Sequence, residues 1–62
     1  MNVFIVLEGE DCEGAHVQAV FGSEQDAIKY LDKKYHGWKK TTPTDRRCGC
    51  TSAFVEEWEV NE

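Results

Sequence analysis

Residues Val3 to Leu7 form the longest apolar run of the chain, and this run constrains the fold more than any other feature. Its β-branched and aromatic side chains favour a strand. Because side chains alternate between the two faces of a strand, an unbroken apolar run predicts a central strand that is covered on both faces. The run is also far shorter than the roughly 18 residues of a transmembrane helix, so the sequence predicts no membrane span.

The other apolar residues predict two more strands and one helix. Residues 16–21 and 53–60 alternate between apolar and polar, as half-buried strands do. Ser23 is the predicted N-cap of a helix that ends before Gly37. The predicted buried stripe of this helix consists of Ala27, Ile28, Leu31 and Tyr35. In the second strand, the alternation places Val17, Ala19 and Phe21 on one face and Val20 on the other.

These elements predict an α+β fold of the order ββαβ. We expect a three-stranded antiparallel sheet in the order 2-1-3 with one helix packed on one face. Residues 1–62 would form a single domain, and residues 37–52 would form a long basic loop because they show no apolar periodicity. A single helix leaves the other sheet face uncovered, with half of the Val3–Leu7 run plus Val20 and Val55 on it. Such a face predicts a homodimer.

The charges of the chain are strongly separated. The net charge is -5, and every Lys and Arg lies within residues 29–47, between two acidic segments. This separation is either an ordinary solvated surface or a pair of poles that attract a partner of opposite sign. The candidate partner-binding residues are therefore the basic and aromatic set Trp38, Lys39, Lys40, Arg46 and Arg47, and the acidic set Glu8, Glu10, Asp11 and Glu13.

The cysteines and histidines raise an alternative. Three cysteines cannot form a complete set of disulfides, and reduced thiols are typical of the cytosol. Zinc could bind four of the five residues Cys12, His16, His36, Cys48 and Cys50, although Cys-Gly-Cys is not the usual Cys-x-x-Cys spacing. An alternative function is therefore a small zinc-binding or nucleic-acid-binding module that uses residues 36–50. The pI near 4.9 argues against nucleic acid, and we predict no cofactor.

The sequence shows no catalytic motif. Neighbouring carboxylates such as Glu56 and Glu57 point to opposite faces of a strand, and no glycine-rich phosphate loop is present. The N-terminus also lacks the basic and apolar regions of a signal peptide. We therefore predict a cytoplasmic protein that is not an enzyme.

Three segments carry a family resemblance: Val-Phe-Ile-Val at 3–6, His-Val-Gln-Ala-Val-Phe-Gly-Ser-Glu-Gln-Asp-Ala at 16–27, and Phe-Val-Glu-Glu-Trp-Glu-Val at 54–60. Together they resemble a family of very small, uncharacterised ββαβ proteins of bacteria and their phages. The resemblance implies no catalytic residues. It implies a phage-type accessory protein that binds and inhibits a host protein, such as a defence or nucleic-acid enzyme, in the host cytoplasm.

Overall fold

The computed structural model describes residues 1–10 and 13–60, and this part of the chain contains five strands and one helix. In chain order they are β1 (Asn2–Glu10), β2 (Gly14–Phe21), α1 (Glu24–Lys34), β3 (Lys39–Thr42), β4 (Asp45–Cys48) and β5 (Thr51–Glu59). All strand pairs are antiparallel, and the sheet has the order β2-β1-β5-β4-β3. The fold is therefore α+β, with one helix packed on one face of a five-stranded sheet.

The predicted three-stranded ββαβ sheet is wrong in the number of strands and in their order. The pairing of β1 with β2 and with the last strand is as predicted. However, residues 37–52 are not one long loop, because they contain β3 and β4, which extend the sheet beyond β5. These two strands have four residues each and carry no apolar alternation, so the pattern that identifies a half-buried strand is missing from them.

The helix forms where the sequence predicts it. The Ser23 hydroxyl accepts a hydrogen bond from the backbone N–H of Asp26 at 3.3 Å, which is the geometry of an N-cap. Ala27 and Leu31 are completely buried, and Tyr35 follows at helical spacing with 3% exposure. These three side chains pack with Val6 of β1 and Ala53 of β5, and together the five form the core. The helix therefore lies over the centre of the sheet.

A β-bulge in β2 changes which side chains share a face. Val6 pairs with Ala19 and Leu7 pairs with Val17, so Gln18 is an extra residue between the two pairs. Val17 and Val20 therefore lie on the same sheet face, opposite Leu7 and Ile5 respectively. The simple alternation predicted opposite faces for these two valines, and that prediction is wrong.

Two-residue turns connect the last three strands. Pro43 and Thr44 lie between β3 and β4, and Gly49 and Cys50 lie between β4 and β5. Gly49 has a φ of +61° and Cys50 does not have a positive φ. This combination corresponds to a type II′ turn, which requires glycine at its first central position and matches the twist of the strands it joins.

We expect Gly9→Ala to destabilise the β1–β2 hairpin. A Cβ at this position would lie 2.1 Å from the carbonyl oxygen of Gly14 and 2.5 Å from the Cα of Ala15, so the two backbones must separate. The free energy of unfolding should fall by about 1–3 kcal/mol, the usual cost of overpacking. Urea denaturation measures this loss.

Gly22→Ala is the matched control, because a Cβ at position 22 would have no atom within 4 Å. We expect this variant to retain wild-type stability within about 0.5 kcal/mol. Equal losses in the two variants would contradict the close approach at Gly9.

Candidate functional site

The sheet face that lies opposite α1 is here called the open face. Val6 lies on the helix side of β1, so the residues that alternate with it, Val3, Ile5 and Leu7, lie on the other side. Their register partners in β2 and β5 complete the open face. The apolar members are Val3, Ile5, Leu7, Val17, Val20, Phe54 and Trp58. The prediction that Val55 lies on this face is wrong, because Val55 pairs with Val6 and packs against the core.

The open face combines a flat shape with large exposed apolar side chains. Val17 is 59% exposed, and Val20 and Trp58 are each 56% exposed. The Cα atoms span 38 × 23 × 16 Å. The molecule is therefore a flat slab, and the open face is one of its two broad sides. A flat apolar surface suits another protein better than a small molecule, which needs a concave site.

Polar groups lie at two places on the open face. The indole Nε1 of Trp58 donates a hydrogen bond to Glu56 Oε2 at 3.3 Å. Toward the other end of β5, Arg47 donates to the Ser52 hydroxyl at 3.0 Å. A surface depression of about 440 Å³ lies beside this second pair, and it is lined by Thr41, Asp45, Arg46, Arg47, Ser52 and Phe54.

One residue of the predicted basic set is buried. Arg46 is 3% exposed, and its guanidinium is used inside the protein. Its Nη1 donates to three backbone carbonyls, those of Thr42 (3.2 Å), Pro43 (3.1 Å) and Asp45 (2.7 Å), and its Nη2 donates to the carboxylate of Asp32. This guanidinium therefore joins the β3–β4 turn to the helix.

The other members of the basic set lie at two places. Trp38 is half-buried, with its ring centroid 4.7 Å from that of Tyr35. Together with the exposed Lys40 and the buried Arg46, it lines a surface depression of about 240 Å³. Lys39 is exposed on the edge strand β3 and pairs with Arg47, which is exposed on the open face. The structure thus brings three of the five members together at this depression.

The acidic set is also divided. Glu8 is half-buried and accepts a hydrogen bond from the Tyr35 hydroxyl at 2.6 Å. Burial, and then this bond to the Glu8 carboxylate, raises the pKa of Tyr35 above its ordinary value. Glu10 and Glu13 are exposed at the end of the β1–β2 hairpin, whereas the prediction for Asp11 falls on a residue outside the described part of the chain.

The proposed zinc ligands do not form a cluster in the part that the structure describes. Within residues 1–10 and 13–60, no three His, Cys, Asp or Glu side chains are close enough together to hold a metal ion. Cys12 lies outside those residues. Cys48 and Cys50 are exposed free thiols at the β4–β5 turn. Zinc binding and nucleic-acid binding both stay predictions.

Comparison with known proteins adds no function. No family model matches the chain, and no curated protein or solved structure matches it. The resemblance to small phage and bacterial proteins therefore stays a prediction. The described part of the chain also has no helix that is long and apolar enough to cross a membrane.

Sequence reasoning missed Trp58 as a candidate binding residue. Its position in the alternation of β5 did place it on the face of Phe54 and Glu56, but a large aromatic residue in a strand is usually buried. An aromatic residue near the end of a strand that no helix covers is the signal that could have identified it.

We expect Arg46→Gln to destabilise the fold, because three backbone carbonyls of the β3–β4 turn lose a charged donor. The expected loss is about 1–3 kcal/mol of unfolding free energy, measured by urea denaturation. Arg47→Gln makes the same chemical change at the next, exposed residue. Its expected loss is only about 0.5 kcal/mol or less, and similar losses at both positions would contradict the structural role of Arg46.

The Asp32–Arg46 pair should make stability depend on pH. The hydrogen bond from Arg46 holds the pKa of Asp32 below its ordinary value of 3.8, against a smaller opposing effect of desolvation. Because the folded pKa is the lower one, the stabilisation is complete above the unfolded pKa and is lost as pH falls through the folded pKa. We expect Asp32→Asn to be less stable than wild type at pH 7, with the difference shrinking toward pH 3.

Urea denaturation across this pH range, repeated in an Arg46→Gln background, checks that pH dependence. Without the guanidinium, most of this pH dependence should disappear, because only the weaker attraction of Lys40 and the opposing desolvation still act on Asp32. A pH dependence of undiminished size in that background would show that Arg46 is not its cause.

Proposed function

We propose that this chain is a protein-interaction domain and that its open face binds a folded protein. One observation carries the proposal: the single helix covers one side of the sheet, while Val17, Val20 and Trp58 remain more than half exposed on the other. Contiguous exposed apolar patches in proteins mark interaction sites. Trp is also the residue type most enriched among those that dominate binding energy.

The composition of the open face supports this proposal. Its apolar residues occupy the three strands β2, β1 and β5, whereas Asp45 and Arg47 lie beside them on β4. Glu56 lies opposite Ile5 in the middle of β5, where it accepts the hydrogen bond of the Trp58 indole. Interfaces of this mixed composition are usual in proteins that associate reversibly. The predicted basic and acidic sets support binding less well, because Arg46 and Glu8 make internal hydrogen bonds.

The family resemblance extends the proposal to a specific class of partner. On that basis the bound protein belongs to a host cell, and binding inhibits it. No observation in the fold bears on this extension, so it rests on the resemblance alone. The alternative of a zinc-binding or nucleic-acid-binding module has less support, since the depression beside β4 is flanked by the buried, internally bonded Arg46.

Site-specific photo-crosslinking in cells that make this protein tests the proposal. A photoreactive amino acid replaces Val20, which is on the open face, or Lys29, which is exposed on the helix. We expect irradiation to produce protein adducts from position 20 at a level several-fold above those from position 29. Absence of adducts from position 20, or equal yields from both positions, would count against the open face as the binding surface.

A further inference from the structure

We propose that Cys48 and Cys50 form a redox-active dithiol, which exchanges with low-molecular-weight disulfides such as oxidised glutathione and closes a reversible disulfide across the β4–β5 turn. Both thiols are free and exposed. They lie on either side of Gly49, the first central residue of the turn. Cys48 is on the helix side of the sheet, two residues beyond Arg46. The inference therefore concerns a part of the surface other than the open face.

The turn brings the two cysteines within the distance range of a disulfide. Cys48 pairs with Thr51, so the chain reverses its direction within four residues. In such a turn the chain bends by about 90° at each central Cα, so two Cα–Cα steps of about 3.8 Å place Cys48 and Cys50 about 5.4 Å apart. Disulfides usually join residues whose Cα atoms are about 4.4–6.8 Å apart. The estimated separation therefore suits a bond between these two residues.

The turn is also open to reagents in solution. Cys48, Gly49 and Cys50 are all exposed, and a Cβ added at Gly49 would have no atom within 4 Å. Solvent access is a main determinant of how readily a thiol reacts. In the part of the chain that the structure describes, no third His, Cys, Asp or Glu joins the pair into a group that could hold a metal ion. The two thiols are therefore available to each other and to small disulfides.

The exchange takes place in two balanced steps. The thiolate of one cysteine attacks a sulfur of oxidised glutathione, forms a mixed disulfide and releases one glutathione thiolate, which takes up a proton. The thiolate of the other cysteine then attacks the protein sulfur of the mixed disulfide, forms the Cys48–Cys50 bond and releases the second glutathione. Two electrons and two protons thus pass from the pair of thiols to one glutathione disulfide, and the reverse steps restore the thiols.

The position of this disulfide favours a redox role over a structural one. Stabilisation by a disulfide grows with the length of the loop that it closes, and here only one residue lies between the cysteines. Exposed disulfides are also readily reduced, whereas structural disulfides resist reduction by glutathione. We therefore expect the pair to change between its two states with the thiol–disulfide balance of its surroundings.

A titration with glutathione tests the inference. The Cys12→Ser variant retains Cys48 and Cys50 as its only thiols. It is equilibrated in buffers with different ratios of reduced to oxidised glutathione, the free thiols are trapped by alkylation, and the products are identified by intact-protein mass spectrometry. We expect a single-chain product that lacks two hydrogen atoms, carries no glutathione and takes up no alkylating agent. Reduction with excess dithiothreitol should restore two alkylatable thiols.

Matched variants retain only one thiol of the pair. In Cys48→Ser and Cys50→Ser, each made in the Cys12→Ser background, the second step is impossible, so the mixed disulfide with glutathione is the end product. In the two-thiol chain the neighbouring thiolate competes with millimolar glutathione, so the fraction of mixed disulfide should be at least about ten-fold lower than in either control. A two-thiol chain that accumulates as much mixed disulfide as the controls would overturn the inference.

The same titration in concentrated urea separates the effect of the folded turn from that of the Cys-Gly-Cys spacing alone. When the turn holds the two thiols within reach, folding and disulfide formation favour each other. The folded chain should then keep its disulfide at a ratio of reduced to oxidised glutathione at least about three-fold higher than the unfolded chain does. An equal or lower ratio in the folded chain, or a product made mainly of disulfide-linked dimers, would also overturn the inference.

Discussion

The outer half of the sheet depends on the buried guanidinium of Arg46. The strands β3 and β4 bring almost no apolar side chain to the core, since every residue of Lys39–Thr42 is exposed. Arg46 takes the place of apolar packing: it binds three carbonyls around the β3–β4 turn and the carboxylate of Asp32 on the helix. Buried arginine is tolerated in proteins only when its donors are satisfied in this way.

This arrangement also determines the shape of the molecule. The hairpin widens the sheet from three strands to five, while the helix remains 11 residues long. The helix covers the central strands on one side, where Val6 and Ala53 are fully buried. The opposite side has no covering element in the described chain, although Val17, Val20 and Trp58 lie there beside the charged Glu56 and Arg47. The result is a flat molecule in which the helix covers one side of the sheet and leaves the open face uncovered.

The sequence predicts those parts of the fold whose packing follows a period. The N-cap at Ser23 and the pairing of β1 with its two neighbours follow from local capping and apolar spacing, and the structure confirms them. Of the predicted buried stripe of α1, Ala27, Leu31 and Tyr35 are in the core, whereas Ile28 is only half-buried and lies outside it. The hairpin of β3 and β4 could not be predicted in this way because a guanidinium holds it, and a guanidinium leaves no periodic signal. The faces predicted for Val17 and Val55 are wrong for different reasons. The bulge in β2 moves Val17 to the open face, whereas Val55 pairs with Val6 and therefore lies on the helix side.

For the candidate site, the existence of an uncovered apolar face was predictable from the count of helices, but its chemistry was not. Reading charge along the chain grouped Arg46 with its exposed neighbour Arg47, although adjacent residues of a strand point to opposite sides. The same reading grouped Glu8 with exposed acids, although Glu8 accepts a bond from the buried Tyr35. Linear charge patterns do not distinguish internal ion pairs from surface poles.

The extra residue at Gln18 has a consequence for how this sequence can change over time. When position 18 is omitted, residues 16–21 alternate regularly, and each remaining side chain keeps the face that it has now. The side-chain oxygen of Gln18 accepts a hydrogen bond from Lys34 Nζ of the helix at 3.2 Å. Gln18 has no register partner in β1, so the pairing of the two strands does not depend on it. Related chains that differ in length by one residue here would still have the same apolar surface, and aligning them without a gap would wrongly suggest that the surface had been inverted.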